Sequence, residues 1–98
     1  MRETDFQSAL RRRIENEIPG SVVQKGNPNW IQGFPDLIVL YKNTYACLEC
    51  KKSADEPYRP NQEYYIEQIN SVAFCATVYP ENEEEILDEL KRYFDQLG

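Results

Sequence analysis

The stretch Gly33-Phe34-Pro35-Asp36-Leu37-Ile38-Val39-Leu40-Tyr41-Lys42-Asn43-Thr44-Tyr45-Ala46-Cys47-Leu48-Glu49-Cys50-Lys51 decides the architecture. Asp36–Tyr41 is apolar and rich in β-branched residues, with Gly33 and Pro35 ahead of it, and reads as a short strand buried on both faces. Lys42-Asn43-Thr44 is a polar turn. Tyr45–Lys51 is then the returning partner, because a connection this short suits an antiparallel hairpin. Side chains alternate along a strand, so Tyr45, Cys47, Glu49 and Lys51 share one face and Ala46, Leu48 and Cys50 the other. In an antiparallel pair the start of the first strand lies beside the end of the second, which brings Asp36 next to Glu49 and Lys51.

Two carboxylates and an ammonium at adjacent strand ends suit metal-dependent phosphodiester cleavage: carboxylate oxygens hold a hard cation, and a lysine orients water or offsets an extra negative charge. The same residues have a plainer reading. Glu and Lys two apart on a strand form ordinary same-face ion pairs of little energetic weight, and Pro-Asp is a common turn. Against that, the strand behind Asp36 is too apolar for a wet edge, and Asp36 stands at its lip rather than in a loop.

With 98 residues the chain is the size of one domain, residues 1–98. It has no long apolar segment and no signal-peptide pattern after Met1, so a cytoplasmic location with no membrane role is expected. Three cysteines argue against a disulfide framework, and Cys47 and Cys50, three apart on a strand, place their sulfurs on opposite faces, as packing residues do. The complete lack of histidine excludes histidine-based hydrolases and nucleases and histidine-ligated zinc enzymes as self-contained activities. A net charge of −6 is unfavourable for nucleic-acid binding, but seven acids against two bases fall between Glu81 and Gly98, so the acidity belongs to the last helix.

Around the hairpin, residues 3–17 read as a helix with Phe6, Leu10 and Ile14 on one face and Glu3 at the head of the same stripe. An acid in the first turn can merely complement the helix dipole; beside a strand-end carboxylate cluster it becomes a third candidate metal ligand. Gly20–Lys25 reads as a first strand, and residues 26–33 as a loop in which Trp30 is either a lid on the core or a stacking surface for a base. After a polar loop from Lys52 to Arg59, Pro60 suits the first turn of a helix reaching Asn70. Gln62, Tyr65, Ile66 and Ile69 share a face of that helix, so Gln62 meets a polar site on the sheet side. Val72–Tyr79 reads as a fourth strand. Asn82 with Glu85 suggests a capping box opening a last helix with Ile86, Leu90 and Leu97 on its inner face. The order is helix, strand, hairpin, helix, strand, helix: an α/β fold around a small mixed sheet.

Glu3, Gly33-Phe34-Pro35-Asp36, Glu49-Cys50-Lys51 and Gln62 together resemble the PD-(D/E)xK nuclease superfamily. Within it the chain is most similar to the stand-alone VRR-NUC nucleases and their Holliday-junction-resolvase relatives, often found in phages. The likeness spans about residues 3–80. It implies a restriction-endonuclease-like α-β-β-β-α-β core, here with an added C-terminal helix. It implies Mg²⁺ or Mn²⁺ held by Glu3, Asp36, Glu49 and the backbone carbonyl of Cys50, with Lys51 positioning water and Gln62 completing the catalytic set. The implied reaction is in-line hydrolysis of DNA, leaving a 5′-phosphate and a 3′-hydroxyl.

Lys25, Trp30, Lys52 and Arg59 are the candidate DNA-binding residues, with Arg11, Arg12 and Arg13 adding basic surface. So small a basic surface suits a homodimer acting on branched, junction or flap DNA better than on plain duplex. The alternatives are a non-catalytic nuclease-like module that binds DNA or a protein, and an interaction domain whose acidic last helix docks a basic partner.

Overall fold

A computed structural model of the chain describes residues 2–26 and 31–97. Its elements are α1 (Glu3–Glu17), β1 (Val22–Lys25), β2 (Leu37–Tyr41), β3 (Thr44–Cys50), α2 (Gln62–Asn70), β4 (Phe74–Val78), a single 3₁₀ turn (Pro80–Asn82) and α3 (Glu83–Leu97). The sheet runs β1-β2-β3-β4; the first three strands are antiparallel and β4 lies parallel to β3. The α-β-β-β-α-β order with a C-terminal helix is the expected one.

Strand alternation splits the interior into two layers. Val23, Leu37, Val39, Ala46, Leu48, Cys50 and Val78 face α1 and α3, where Phe6, Leu10, Ile14, Leu87, Leu90 and Phe94 close the larger core. Cys47 and Cys75, paired across β3 and β4, face α2 with Ile69, Tyr65 and Ile66. Cys47 and Cys50 thus lie in separate cores, as their spacing predicts, and all three thiols are free and buried. Burial pushes Cys47 up to about 11 and Cys75 to about 12 and raises Cys50 further, so the thiols pack as neutral groups.

Several boundaries differ from the sequence reading. Gly20 turns the chain with φ +93°, so β1 begins at Val22. Thr44 pairs with Tyr41, leaving only Lys42 and Asn43 in the hairpin turn. Asn61 has φ +71°, which a helix cannot contain, so α2 starts at Gln62 and not at Pro60. Val72 and Ala73 both donate to the Ile69 carbonyl and close the turn after α2, so β4 is shorter than expected. Asn82 bonds backward, accepting from the Tyr79 N–H (2.8 Å) and donating to the Thr77 carbonyl (3.0 Å), instead of forming a box with Glu85. The Leu97 side chain lies outside the described ones.

β2 is not buried on both faces: Leu37 and Val39 are covered, whereas Leu40 is 44% exposed. The α2 layer covers Ile38 but leaves the far row Val22–Leu40–Tyr45 open to solvent. No described helix is long and apolar enough to cross a membrane.

Candidate functional site

Asp36, Glu49, Lys51 and Gln62 are brought together as the sequence predicts. Leu37 pairs with Leu48, so the residue before β2 meets the end of β3, and the Asp36 carboxylate accepts the Cys50 N–H at 2.8 Å. Glu49 and Lys51 project from the α2-side face of β3 and are almost completely buried, at 1% and 3% exposure. Lys51 continues the ladder beyond β3 by donating its N–H to the Val78 carbonyl at 2.8 Å.

Gln62 joins the two charged groups. Its amide nitrogen donates to Glu49 Oε2, while its Oε1 accepts from Lys51 Nζ (2.8 Å) and from the Arg59 N–H (2.6 Å). An amide can donate to an anion and accept from a cation at once, which explains a buried glutamine at this point. Lys51 Nζ also donates to the Pro57 carbonyl at 3.3 Å, lies 3.9 Å from Glu49 Oε2, and stands 5.5 Å from the centre of the Tyr58 ring.

Gly33 sets the approach of the Pro-Asp segment to this helix. Its φ of +89° is open to glycine, and a Cβ there would lie 2.7 Å from Asn61 backbone carbon. The loop before Asp36 therefore packs on the residue just ahead of Gln62, and Phe34 rests against Tyr65, ring centres 5.8 Å apart.

Glu49 carries the electrostatic tension of the site. Burial raises its carboxyl most, the neighbouring Asp36 raises it further, and Lys51 only partly offsets them; Glu3 adds a smaller rise. The result is a carboxyl pushed up to about 8. Glu49 Oε1 is buried and has no hydrogen-bond donor. Such an oxygen costs stability unless a proton or a cation reaches it.

The donor set is chemically suited to a hard cation: carboxylate oxygens of Asp36 and Glu49, one of Glu49's unpartnered, Glu3 near enough to act on Glu49, and no available thiolate. Among the described residues no group of three or more His, Cys, Asp or Glu side chains is placed to hold a metal ion; Asp36 Oδ2 accepts from the Cys50 amide and Glu49 Oε2 from Gln62.

Two features escaped the sequence reading. Gln7, four residues after Glu3 on the inner face of α1, is buried with its Oε1 unpartnered. The i to i+4 step from Glu3 was the available signal. The loop from Lys52 to Arg59, read as plain polar linker, wraps Lys51 with the Pro57 carbonyl and the Tyr58 ring, and no local pattern foretells that.

Of the candidate DNA contacts, Lys25, Lys52 and Arg59 are exposed, and Trp30 lies outside the described residues. Arg13, counted as free basic surface, is instead bound to Glu17 (2.6 Å), Glu84 (2.6 Å) and Glu83, tying α1 to the start of α3. Arg11 stands 3.7 Å from Glu15.

No protein-family model matches the chain, and no curated protein matches it by sequence. Solved structures are similar to it, including two described by a VRR_NUC domain. One, described as a "VRR_NUC domain", has a TM-score of 0.71 at 23% identity, over 94% of this chain and 96% of its own. The other, a "VRR_NUC domain protein", has a TM-score of 0.69 at 16% identity, over 97% of this chain and 89% of its own. Likeness at these identities, over nearly the whole of each chain, establishes that the protein has the VRR_NUC fold.

Proposed function

We propose that the protein is a metal-dependent DNA endonuclease that hydrolyses phosphodiester bonds and selects branched, junction or flap structures. The observation that carries this reading is the buried Glu49 with the half-buried Asp36 at its side, an undonated oxygen on Glu49, and an ammonium held by Gln62. A structural ion pair would be neutral and saturated; this cluster has an excess of acid where a cation fits.

Asp36, Glu49, Glu3 and the Cys50 carbonyl would hold Mg²⁺ or Mn²⁺, which supplies Lewis-acid stabilisation of charge on the scissile phosphate. The protein's own contribution is positional. Gln62 and the Pro57 carbonyl fix the Lys51 ammonium, so that it orients the attacking water and offsets charge in the transition state without reorganising.

With Arg13 occupied by carboxylates, the exposed cations that remain neutralise few phosphates, which supports weak binding to plain duplex. A homodimer, placing two sites on one branched substrate, would compensate. Labelled linear, flap and four-way-junction DNAs incubated with Mg²⁺, Mn²⁺ or EDTA test the reading. Cleavage that needs the metal and favours the branched forms is expected; activity undiminished by EDTA refutes the metal role.

A further inference from the structure

Two tyrosines beside the Lys51–Gln62 pair leave much of their rings open to solvent. Tyr58 is 42% and Tyr64 57% exposed, yet both rings are held. The Tyr58 hydroxyl bonds Thr77 Oγ1 on β4 at 2.7 Å, and its ring faces the Lys51 ammonium. Tyr64 abuts the edge of Tyr65 at 5.1 Å and 81°, and Tyr65 in turn rests on Phe34 of the segment leading to Asp36. Between the two tyrosines opens a cleft of about 420 Å³, completed by Arg59, Pro60, Asn61 and Glu63.

An aromatic face open to solvent is apolar area that the fold leaves unburied. It is what base stacking needs: a rigid π surface that orders no flexible side chain on binding. The polar lining suits a base edge as well. Arg59 donates to ring and carbonyl acceptors, Glu63 accepts from an exocyclic amine, and Asn61 does both. A patch made for phosphate would be basic throughout, whereas Glu63 sits inside this one. The Arg59 N–H that bonds Gln62 Oε1 links the cleft wall directly to the group that holds Lys51.

We infer that the cleft between Tyr58 and Tyr64 receives one unpaired nucleobase next to the cleaved phosphodiester, so that the protein selects DNA with a single-stranded nucleotide at that point. This rests on the nuclease reading above for the identity of the polymer, and it adds the residues that read the substrate. Bases in a duplex are stacked on their neighbours and cannot enter such a cleft, whereas flap and junction ends offer free ones.

The test is fluorescence anisotropy of the full chain in EDTA, with a single-stranded oligonucleotide of mixed sequence and a blunt duplex of equal length. A parallel titration uses 2-aminopurine placed in the single strand. The single strand is expected to bind more tightly and its 2-aminopurine to be quenched. Tyr64→Ala should weaken that binding by about 5- to 100-fold, with the duplex affinity unchanged, and Tyr64→Phe should restore it. Melting temperatures of both variants check that the domain is folded. Equal affinity for the two DNAs, or single-strand binding indifferent to Tyr64→Ala, overturns the inference. Metal-dependent cleavage without single-strand preference overturns this inference and leaves the nuclease; tyrosine-dependent binding without cleavage overturns the nuclease and leaves the base cleft.

Discussion

Two charged clusters in this small domain are built on opposite terms. Between α1 and α3, Arg13 and Lys91 meet Glu17, Glu83 and Glu84 at the surface, and every group has a partner. Lys91 and then Arg13 hold the Glu17 carboxyl below its ordinary range, and hydrogen bonds to Glu17 and Glu83 raise Arg13. At the end of β3, Asp36 lies beside the buried Glu49, whose nearest ammonium is Lys51, and Glu49 is pushed the other way, up to about 8. One cluster joins two helices with compensated charge. The other sets a buried carboxyl beside a second acid and leaves one of its oxygens unpartnered, a cost that a folding role alone does not explain.

The largest effect should come from removing the charges of the second cluster. Asp36→Ala and Lys51→Ala are each expected to lower cleavage by at least about 100-fold, the scale of losing one positioned electrostatic group, while the circular dichroism spectrum stays native. Lys51→Ala should do so with little change in DNA affinity, the outcome expected of an ammonium that acts on the transition state. Variants that unfold instead would make this cluster a structural ion pair like the first.

Next in size is Gly33→Ala. The site is assembled by backbone contact, with Gly33 against Asn61, whereas the helix cluster is assembled by long side chains. A residue with a Cβ at φ +89° costs about 1–3 kcal/mol, and here the Cβ also meets a main chain that cannot rotate away. Urea titration should show that loss, and cleavage should fall in the molecules that remain folded because Gln62 moves with Asn61.

The pH dependence of stability separates the clusters by sign. The Glu49 carboxyl is at about 8 when folded and near the ordinary 4.5 when unfolded, so between these values the folded state holds a proton that the unfolded state has released. Its stabilising share is complete below 4.5 and is lost as pH rises through 8. In EDTA the melting temperature should therefore fall from pH 5 toward pH 8 for the wild type. Glu49→Gln should remove that part of the slope, and Mg²⁺ should restore the wild type at pH 8 by binding the folded state. A wild-type curve unaffected by the substitution would show that Glu49 is not strained.

The hairpin, the pairing of Asp36 with Glu49 and the two faces of β3 were legible because they follow from strand period and turn length alone. Gln62 was legible as a polar residue on an apolar helix stripe. Other features were not. The left-handed Asn61 that sets the start of α2, and the wrapping of Lys51 by Pro57 and Tyr58, depend on loop geometry that side-chain periodicity does not encode. Arg13 looked like free positive charge because its partners Glu83 and Glu84 lie seventy and seventy-one positions away and meet it only once α1 and α3 pack on the same sheet face. Leu40 looked buried because apolar runs do not reveal how far a covering helix extends.

The smallest effect belongs to the first cluster. Arg13 is 26% exposed and its partner Glu84 82%, so solvent screens much of their attraction. Exposed pairs are worth about 0.2–1 kcal/mol each, and the three carboxylates draw on one guanidinium. Arg13→Ala should therefore lower stability by about 1 kcal/mol, which is about 4–8 °C in melting temperature for a domain of this size. The loss should shrink in about 1 M salt, where the screening length is about 3 Å. It should shrink again as pH falls through the lowered titration range of Glu17, because that carboxylate contributes only while ionised. Acid thus weakens the helix cluster and relaxes the strand-end cluster, and a plot of melting temperature against pH should carry both slopes with opposite sign. Cleavage by Arg13→Ala should match the wild type; a large loss of DNA affinity would return Arg13 to the binding surface and erase the contrast between the two clusters.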